Sequence, residues 1–242
     1  MDEIKSPSFK PLYQQVKELM VLRLTDRSWA PGSILPSEAL LAAEFGVSQG
    51  TVRKALDELT SENLLRRSQG RGTFVTEHTA NRSLFHFLNM VDQNNEKQIP
   101  ESHLVSIASG LATESEAIDL GLIESMNVIR IQRNRSLEGI PVITEEIVVS
   151  SNRTPGLENY PLPLPNTLYQ LYEKDFGFSV TSAREWLTAV SANQQQAQHL
   201  NVEVGAPLLC VKRIAYTYNA QPVELRISLC HTANHSYLSE LT

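Results

Sequence analysis

From Leu12 onward the apolar positions recur at a helical period. Leu12, Val16, Leu19, Met20 and Leu24 share one stripe, which predicts a helix over 11–28. Pro31-Gly32 breaks the chain. A second apolar run begins after Ser37 and stops at Gly46. Ser37 suits an N-cap, because its hydroxyl can accept a free amide of the first turn, and Gly46 suits a left-handed stop. Only Val47 separates that stop from Ser48, a second N-cap. The helix it opens reaches about Glu62 and puts Val52, Ala55, Leu56 and Leu59 on one face. Two helices joined by so tight a turn make a helix-turn-helix. Residues 64–75 then read as two short strands around a glycine-rich turn, and 78–89 as a polar linker.

Beyond the linker the pattern is mixed. A strand is predicted over 103–109. Thr113-Glu114-Ser115-Glu116 is a capping-box sequence whose helix stops at Gly121. Residues 127–137 and 141–149 form a hairpin turning at Glu138-Gly139. Asn166-Thr167 starts a helix ending near Gly177, and 178–190 reads as a long strand. Asn193 opens a short helix, and 207–217 with 222–231 form a second hairpin. Leu120 and Leu200, Arg133 and Arg213, Pro141 and Pro222, and Val142 and Val223 correspond at separations of 80 or 81. That period is too long for a solenoid. It predicts two similar halves in one antiparallel α+β domain, with a cleft between them as a ligand site.

Composition narrows the class. No apolar stretch is long enough to span a bilayer, and the first residues, Met1 to Lys5, lack the apolar core of a secretion signal, so a cytoplasmic protein is expected. The net charge is −6. Residues 1–78 hold ten basic and ten acidic residues, so any DNA affinity there must come from local placement of cations. Two cysteines, Cys210 and Cys230, are too few for a disulfide scaffold and read as reduced thiols, although they could face each other across the second hairpin. His231 and His235 beside Cys230 lack a second ligand pair, and no metal or cofactor is expected.

Candidate chemistry sits in two places. The outer face of the second short helix carries Gly50, Arg53, Lys54 and Asp57, with Gln49 at its edge. A glycine in a first turn costs about 1 kcal/mol relative to alanine, and it removes bulk where a helix end would meet a DNA backbone. Arg53 has the reach for a guanine edge or a phosphate. Arg66, Arg67 and Arg71 crowd into six residues without an acid, which suits a wing on the phosphate backbone or in the minor groove. In the second region Arg133 and Arg135 share a strand face, opposed by Glu145, while Glu224 and Arg226 alternate likewise in the second copy. Ion pairing across a solvated sheet face is one reading. A site for a phosphate or carboxylate is the other.

Pro11 to Gln15, Pro31-Gly32, Leu35-Pro36-Ser37-Glu38, Val47-Ser48, Thr51 to Leu56 and Gly70 to Val75 together closely resemble the DNA-binding domain of the GntR family, over residues 9–77. The resemblance implies a winged helix-turn-helix that binds a palindromic operator in double-stranded DNA as a homodimer. Its contact residues would be Ser37, Ser48, Gln49, Gly50, Thr51, Arg53, Lys54, Arg67, Gly70, Arg71 and Gly72. Two departures stand out. Ala39 and Gln49 occupy positions where the family often has arginine, so the base facing Gln49 is expected to differ, glutamine favouring adenine where arginine favours guanine.

Arg133-x-Arg135, Gly139-x-Pro141-Val142, Glu145, Leu200, Pro207 to Leu209 and Pro222-Val223-Glu224-x-Arg226 resemble the UTRA domain of the HutC branch, over 90–237. This implies a chorismate-lyase-like fold that binds a small effector. Arg133, Arg135, Glu145, Thr167 and Glu224 match effector-binding positions, and Arg226 joins them as the repeat counterpart of Glu145. The run Ser83 to Phe87 and the absence of an acid among His231 to Asn234 depart from members that bind sugar phosphates, which leaves another carboxylate- or phosphate-bearing effector. The resemblance implies, as the family default, a repressor released by that effector. A lyase-like enzyme and a ligand-free DNA-binding module are the alternatives. The first lacks any evident nucleophile–base pair, and the size and charge of the second region weigh against the other.

Overall fold

The computed structural model describes residues 10–77, 89–123 and 125–239. The chain divides into two compact units, residues 1–77 and 78–242. Except for Asn89, the expected linker lies outside the described residues, as does the run from Ser83 to Phe87. Among the described residues no helix is long and apolar enough to cross a membrane.

The first unit holds α1 (Leu12–Thr25), α2 (Glu38–Phe45), α3 (Gln49–Ser61) and a hairpin of β1 (Leu65–Ser68) with β2 (Gly72–Val75). The Ser37 hydroxyl accepts the Leu40 amide at 3.3 Å and the Ser48 hydroxyl accepts that of Thr51 at 3.2 Å. Between them Gly46 takes φ +65°, where a side chain would be strained. This pair of caps with a left-handed stop sets the sharp turn into α3, whose Val52, Ala55, Leu56 and Leu59 are buried. The stripe of α1 is narrower than its apolar pattern. Val16, Met20 and Leu24 are buried, while Leu12 and Leu19 remain about half exposed, because a single row four residues apart meets α3. The hairpin is tied to the helices by an amide of Leu35 donating to the Thr73 carbonyl at 2.8 Å.

The second unit is built on one six-stranded antiparallel sheet. Its members are β4 (Glu101–Leu111), β5 (Asn127–Leu137), β6 (Ile140–Ser150), β7 (Ser182–Ser191), β8 (Pro207–Tyr216) and β9 (Pro222–Cys230), in the order β4-β5-β6-β9-β8-β7. A short pair, β3 (Met90–Val91) with β10 (Ser236–Tyr237), joins the first and last described strands of the unit. The repeat is now visible. Each half runs edge strand, short helix, hairpin, and the halves meet at the β6–β9 pairing. The helices are α4 (Glu114–Leu120) and α6 (Gln194–Leu200), and both begin with a capping box, Thr113 with Glu116 and Asn193 with Gln196. In the first hairpin Glu138 and Gly139 take φ +51° and +77°, the two left-handed residues that a two-residue turn requires.

Alternation along the strands gives the sheet two faces. One packs Ile129, Ile131, Ile147 and Val149 against Leu168, Tyr169, Leu171 and Tyr172 of α5 (Leu168–Asp175). The other takes α4 and α6. Two expectations change here. The strand predicted over 178–190 begins only at Ser182, because Phe178 is drawn off to stack on Tyr172 with ring centroids 5.1 Å apart, and Val180 enters the same core. The cysteines do not face each other. The register pairs Cys230 with Leu209 and Cys210 with Leu229, which sends the thiols to opposite faces. Burial pushes the Cys230 thiol up to about 12.

Candidate functional site

On the first unit the predicted contact residues form an exposed surface along the start of α3 and the hairpin. Gln49 and Gly50 lie exposed in the first turn of α3. A Cβ at Gly50 would meet nothing closer than the Ser48 hydroxyl at 3.8 Å, so the fold itself does not demand glycine there. The hydroxyls of Ser48 and Thr51 lie 2.9 Å apart. Lys54 sits over the Tyr13 ring at 3.9 Å. At the hairpin tip Gly70 and Gly72 take φ +70° and +112°, and between them Arg71 donates its amide to the Ser68 carbonyl at 2.9 Å. Ser37 is occupied as a cap.

One acid organises the cations, and it was absent from the predicted set. Glu38, the first residue of α2, accepts Arg53 from Nε at 2.9 Å and Nη2 at 2.7 Å. The same carboxylate lies 3.9 Å from Arg67, which also pairs with Asp57 at 2.6 Å. The helix α3 and the hairpin are thus tied through two acids. Both arginine side chains stay accessible, 61% for Arg53 and 43% for Arg67.

On the second unit all six predicted effector residues are buried, and five of them form one network on the α5 face of the sheet. Arg133 and Glu145 are register partners, and Arg133 Nε donates to Glu145 at 2.6 Å. Arg135 and Arg226 approach the other oxygen of Glu145 at 3.6 Å each, and Ser228 donates to it at 3.3 Å. Arg226 also pairs with Glu224 at 2.9 Å. Glu224 accepts the hydroxyls of Tyr169 at 3.1 Å and Tyr172 at 2.8 Å. Thr167 stands one step aside. It is buried at the start of α5, with its hydroxyl 3.2 Å from Gln170. The face is therefore not the solvated one that ordinary surface pairing requires.

Its electrostatics favour an anion. Three arginines, Arg133, Arg135 and Arg226, share two carboxylates, Glu145 and Glu224, which leaves one positive charge in excess. Desolvation alone would raise the Glu145 pKa, but the three arginines overcome it and hold the carboxyl well below the usual range. Arg135 is the least satisfied member. Burial, opposed only in part by Glu145, lowers its pKa from the usual arginine value, and among the described residues its Nε has no hydrogen-bond partner. A buried unpaired donor on a cation costs free energy that an anionic ligand would return.

Several members of the cluster were not foreseen. Asn166 accepts Arg135 on its side chain at 3.0 Å and Arg133 on its carbonyl at 3.2 Å, while its own amide group donates to the Pro100 carbonyl at 2.7 Å. The sequence marks it only as a helix start. Tyr169 and Tyr172 look like ordinary core residues of α5 by spacing. Arg213, the repeat counterpart of Arg133, lies opposite Arg226 and pairs with Glu185, which in turn accepts the Tyr237 hydroxyl. The 80-residue correspondence with Arg133 is the sequence signal that marks Arg213.

Comparison with known proteins gives concordant matches. Residues 12–75 match the model of the bacterial regulatory proteins of the gntR family, and 95–236 match the UTRA domain. Among relatives, the HTH-type transcriptional repressor NagR of Bacillus subtilis is 29% identical over 88% of both chains. The histidine utilization repressor of Pseudomonas putida is 28% identical over 88% of this chain and 85% of its own. Among solved structures, the ligand-binding domain of a GntR-family regulator from Bordetella bronchiseptica is 32% identical, covers 64% of this chain and 98% of its own, and has a TM-score of 0.59. PhnF of Mycobacterium smegmatis shares the fold across 96% of this chain and 99% of its own, at 20% identity and a TM-score of 0.57.

Proposed function

The chain belongs to the GntR family of bacterial regulatory proteins, with a UTRA effector domain, and from that premise we propose how its two sites work together. It is a transcriptional repressor of the GntR/HutC type. In our reading residues 9–77 bind DNA and 90–237 bind the effector, joined by the linker 78–89. Two copies form a homodimer, and each α3 enters a major groove of a palindromic operator with half-sites about one helical turn apart. Gln49, Gly50, Thr51, Arg53 and Lys54 face the groove, with Ser37, Ser48, Arg67, Gly70, Arg71 and Gly72 on the backbone.

The effector is a small metabolite bearing a carboxylate or phosphate, received by Arg133 and Arg135 with Glu145, Thr167, Glu224 and Arg226 around them. The unpartnered Nε of the buried Arg135 carries this reading. The names of the relatives, one concerned with histidine utilization, accord with control by a metabolite. Such an effector shifts the protein off DNA only if it binds one conformation better than the other, and a coupling of about 1–3 kcal/mol suffices.

Fluorescence anisotropy with the protein's own promoter tests the whole. Preference for that promoter over random duplex, release by an anionic metabolite, and loss of release with operator affinity kept in Arg135→Ala are expected. A protein without promoter preference, or an Arg135→Ala variant that still responds fully, overturns the proposal.

A further inference from the structure

The face of the sheet opposite the arginine cluster holds a recess of about 210 Å³, between α6 and the strands β4, β5 and β6. Its polar wall is Gln132, Asn134, Thr144, Glu146, Gln195 and His199, over an apolar floor of Ile227 and Leu229. Arg133 and Glu145 border it through the main chain, because alternation turns their side chains to the far face. Thus, among the described residues, no lysine or arginine side chain enters the recess.

Glu146 is the unusual group. Among the acids on the six strands that are not fully exposed, Glu145, Glu185 and Glu224 each face an arginine. Among the described residues no cation lies within ion-pair distance of Glu146, and its one hydrogen-bond donor is the Gln132 amide at 3.2 Å. Gln132 in turn accepts the Ser106 hydroxyl at 3.2 Å. Arg130, on the same face of β5, acts on Glu146 only through space and is itself bound to Glu116, so Glu146 has no direct ion pair of its own.

The repeat supplies a built-in control. The counterparts of Ser106, Gln132 and His199 are Trp186, Lys212 and Asp119. There Lys212 pairs with Asp119 at 2.7 Å and lies under the Trp186 ring at 5.9 Å, and the position matching Glu146 is Ile227. One half closes this location with its own ion pair and side chains. The other leaves it open, acidic and lined with amides.

We propose that the recess is a second binding site, selective for a small organic ammonium compound whose charge meets Glu146 and whose remaining polar groups meet Gln132, Gln195 and His199. Anion and cation sites would then occupy opposite faces of the same two strands, β5 and β6.

The test uses the full-length protein, with putrescine as probe at constant ionic strength and backbone and side-chain amides followed by NMR. Saturable shifts are expected at Gln132, Gln195 and Ile227. Glu146→Gln, which keeps the shape and the polar contact with Gln132, should weaken binding about tenfold or more. Arg135→Ala, which disables the other site, should leave it unchanged, so failure here is distinct from failure of the effector reading. Shifts that do not saturate, an unaltered affinity in Glu146→Gln, or equal binding of 1,4-butanediol would each overturn the proposal.

Discussion

Both units pair arginine with glutamate at nearly the same distance, yet the pairs do different things. Arg53 meets Glu38 at 2.7 Å with its side chain 61% exposed, while Arg133 meets Glu145 at 2.6 Å with both side chains 3% exposed. In water such a pair is nearly balanced by solvation and rotamer entropy, so the arginine can exchange its carboxylate for a phosphate at little cost. Inside the sheet domain neither partner can be removed cheaply, because the survivor is left charged in a poorly polarisable surrounding. On the function proposed above, the exposed cluster would let go of its carboxylate for DNA, and the buried one would hold its shape until a matching charge arrives.

The sharpest way to break this comparison is Glu145→Gln. It leaves Arg133, Arg135 and Arg226 with too little negative charge and should destabilise the sheet domain by about 3–5 kcal/mol, read by calorimetry of the full chain. The pH dependence follows. The folded pKa of Glu145 is depressed, so its contribution is present above the ordinary glutamate range and is lost as pH falls through the lower folded value. Wild type and variant should therefore converge in acid, and a difference independent of pH would show that charge is not the cause.

Arg53→Ala comes next. It should weaken operator binding by about 1–3 kcal/mol while leaving the melting of the first unit nearly unchanged. A smaller and opposite effect is expected for Glu38→Gln. Freeing Arg53 and Arg67 should raise affinity for random duplex at low salt and change stability by no more than about 1 kcal/mol. A loss of several kcal/mol on either substitution would mean that the exposed pairs are structural after all. The least effect is chemical. Because burial raises the Cys230 thiol, it should resist alkylation at pH 8 in the folded protein and label only on unfolding, and oxidation should give no bond to Cys210.

Within the second unit the repeat teaches the same lesson on a smaller scale. Positions 80 residues apart keep their backbone roles, including the two capping boxes, whereas their side chains diverge into a sealed ion pair on one side and an open recess on the other. Backbone duplication was readable from spacing. The fate of each location was not, since it depends on which neighbours fill the space.

What the chain declares locally is its punctuation and its periods. Ser37, Gly46 and Ser48 set the helix-turn-helix, Glu138-Gly139 sets a hairpin, and strand alternation puts Arg133 and Arg135 on one side, because caps, left-handed residues and alternation act over a few neighbours. Long-range packing decided the rest. Glu38 reaching Arg67, Asn166 joining the arginines and the one-residue offset of Cys210 from Cys230 join segments distant in the chain or shifted by a bulge, and Phe178 leaves a strand to stack on the nearby Tyr172 ring. Such contacts are chosen by burial and charge balance in three dimensions, which no local period encodes.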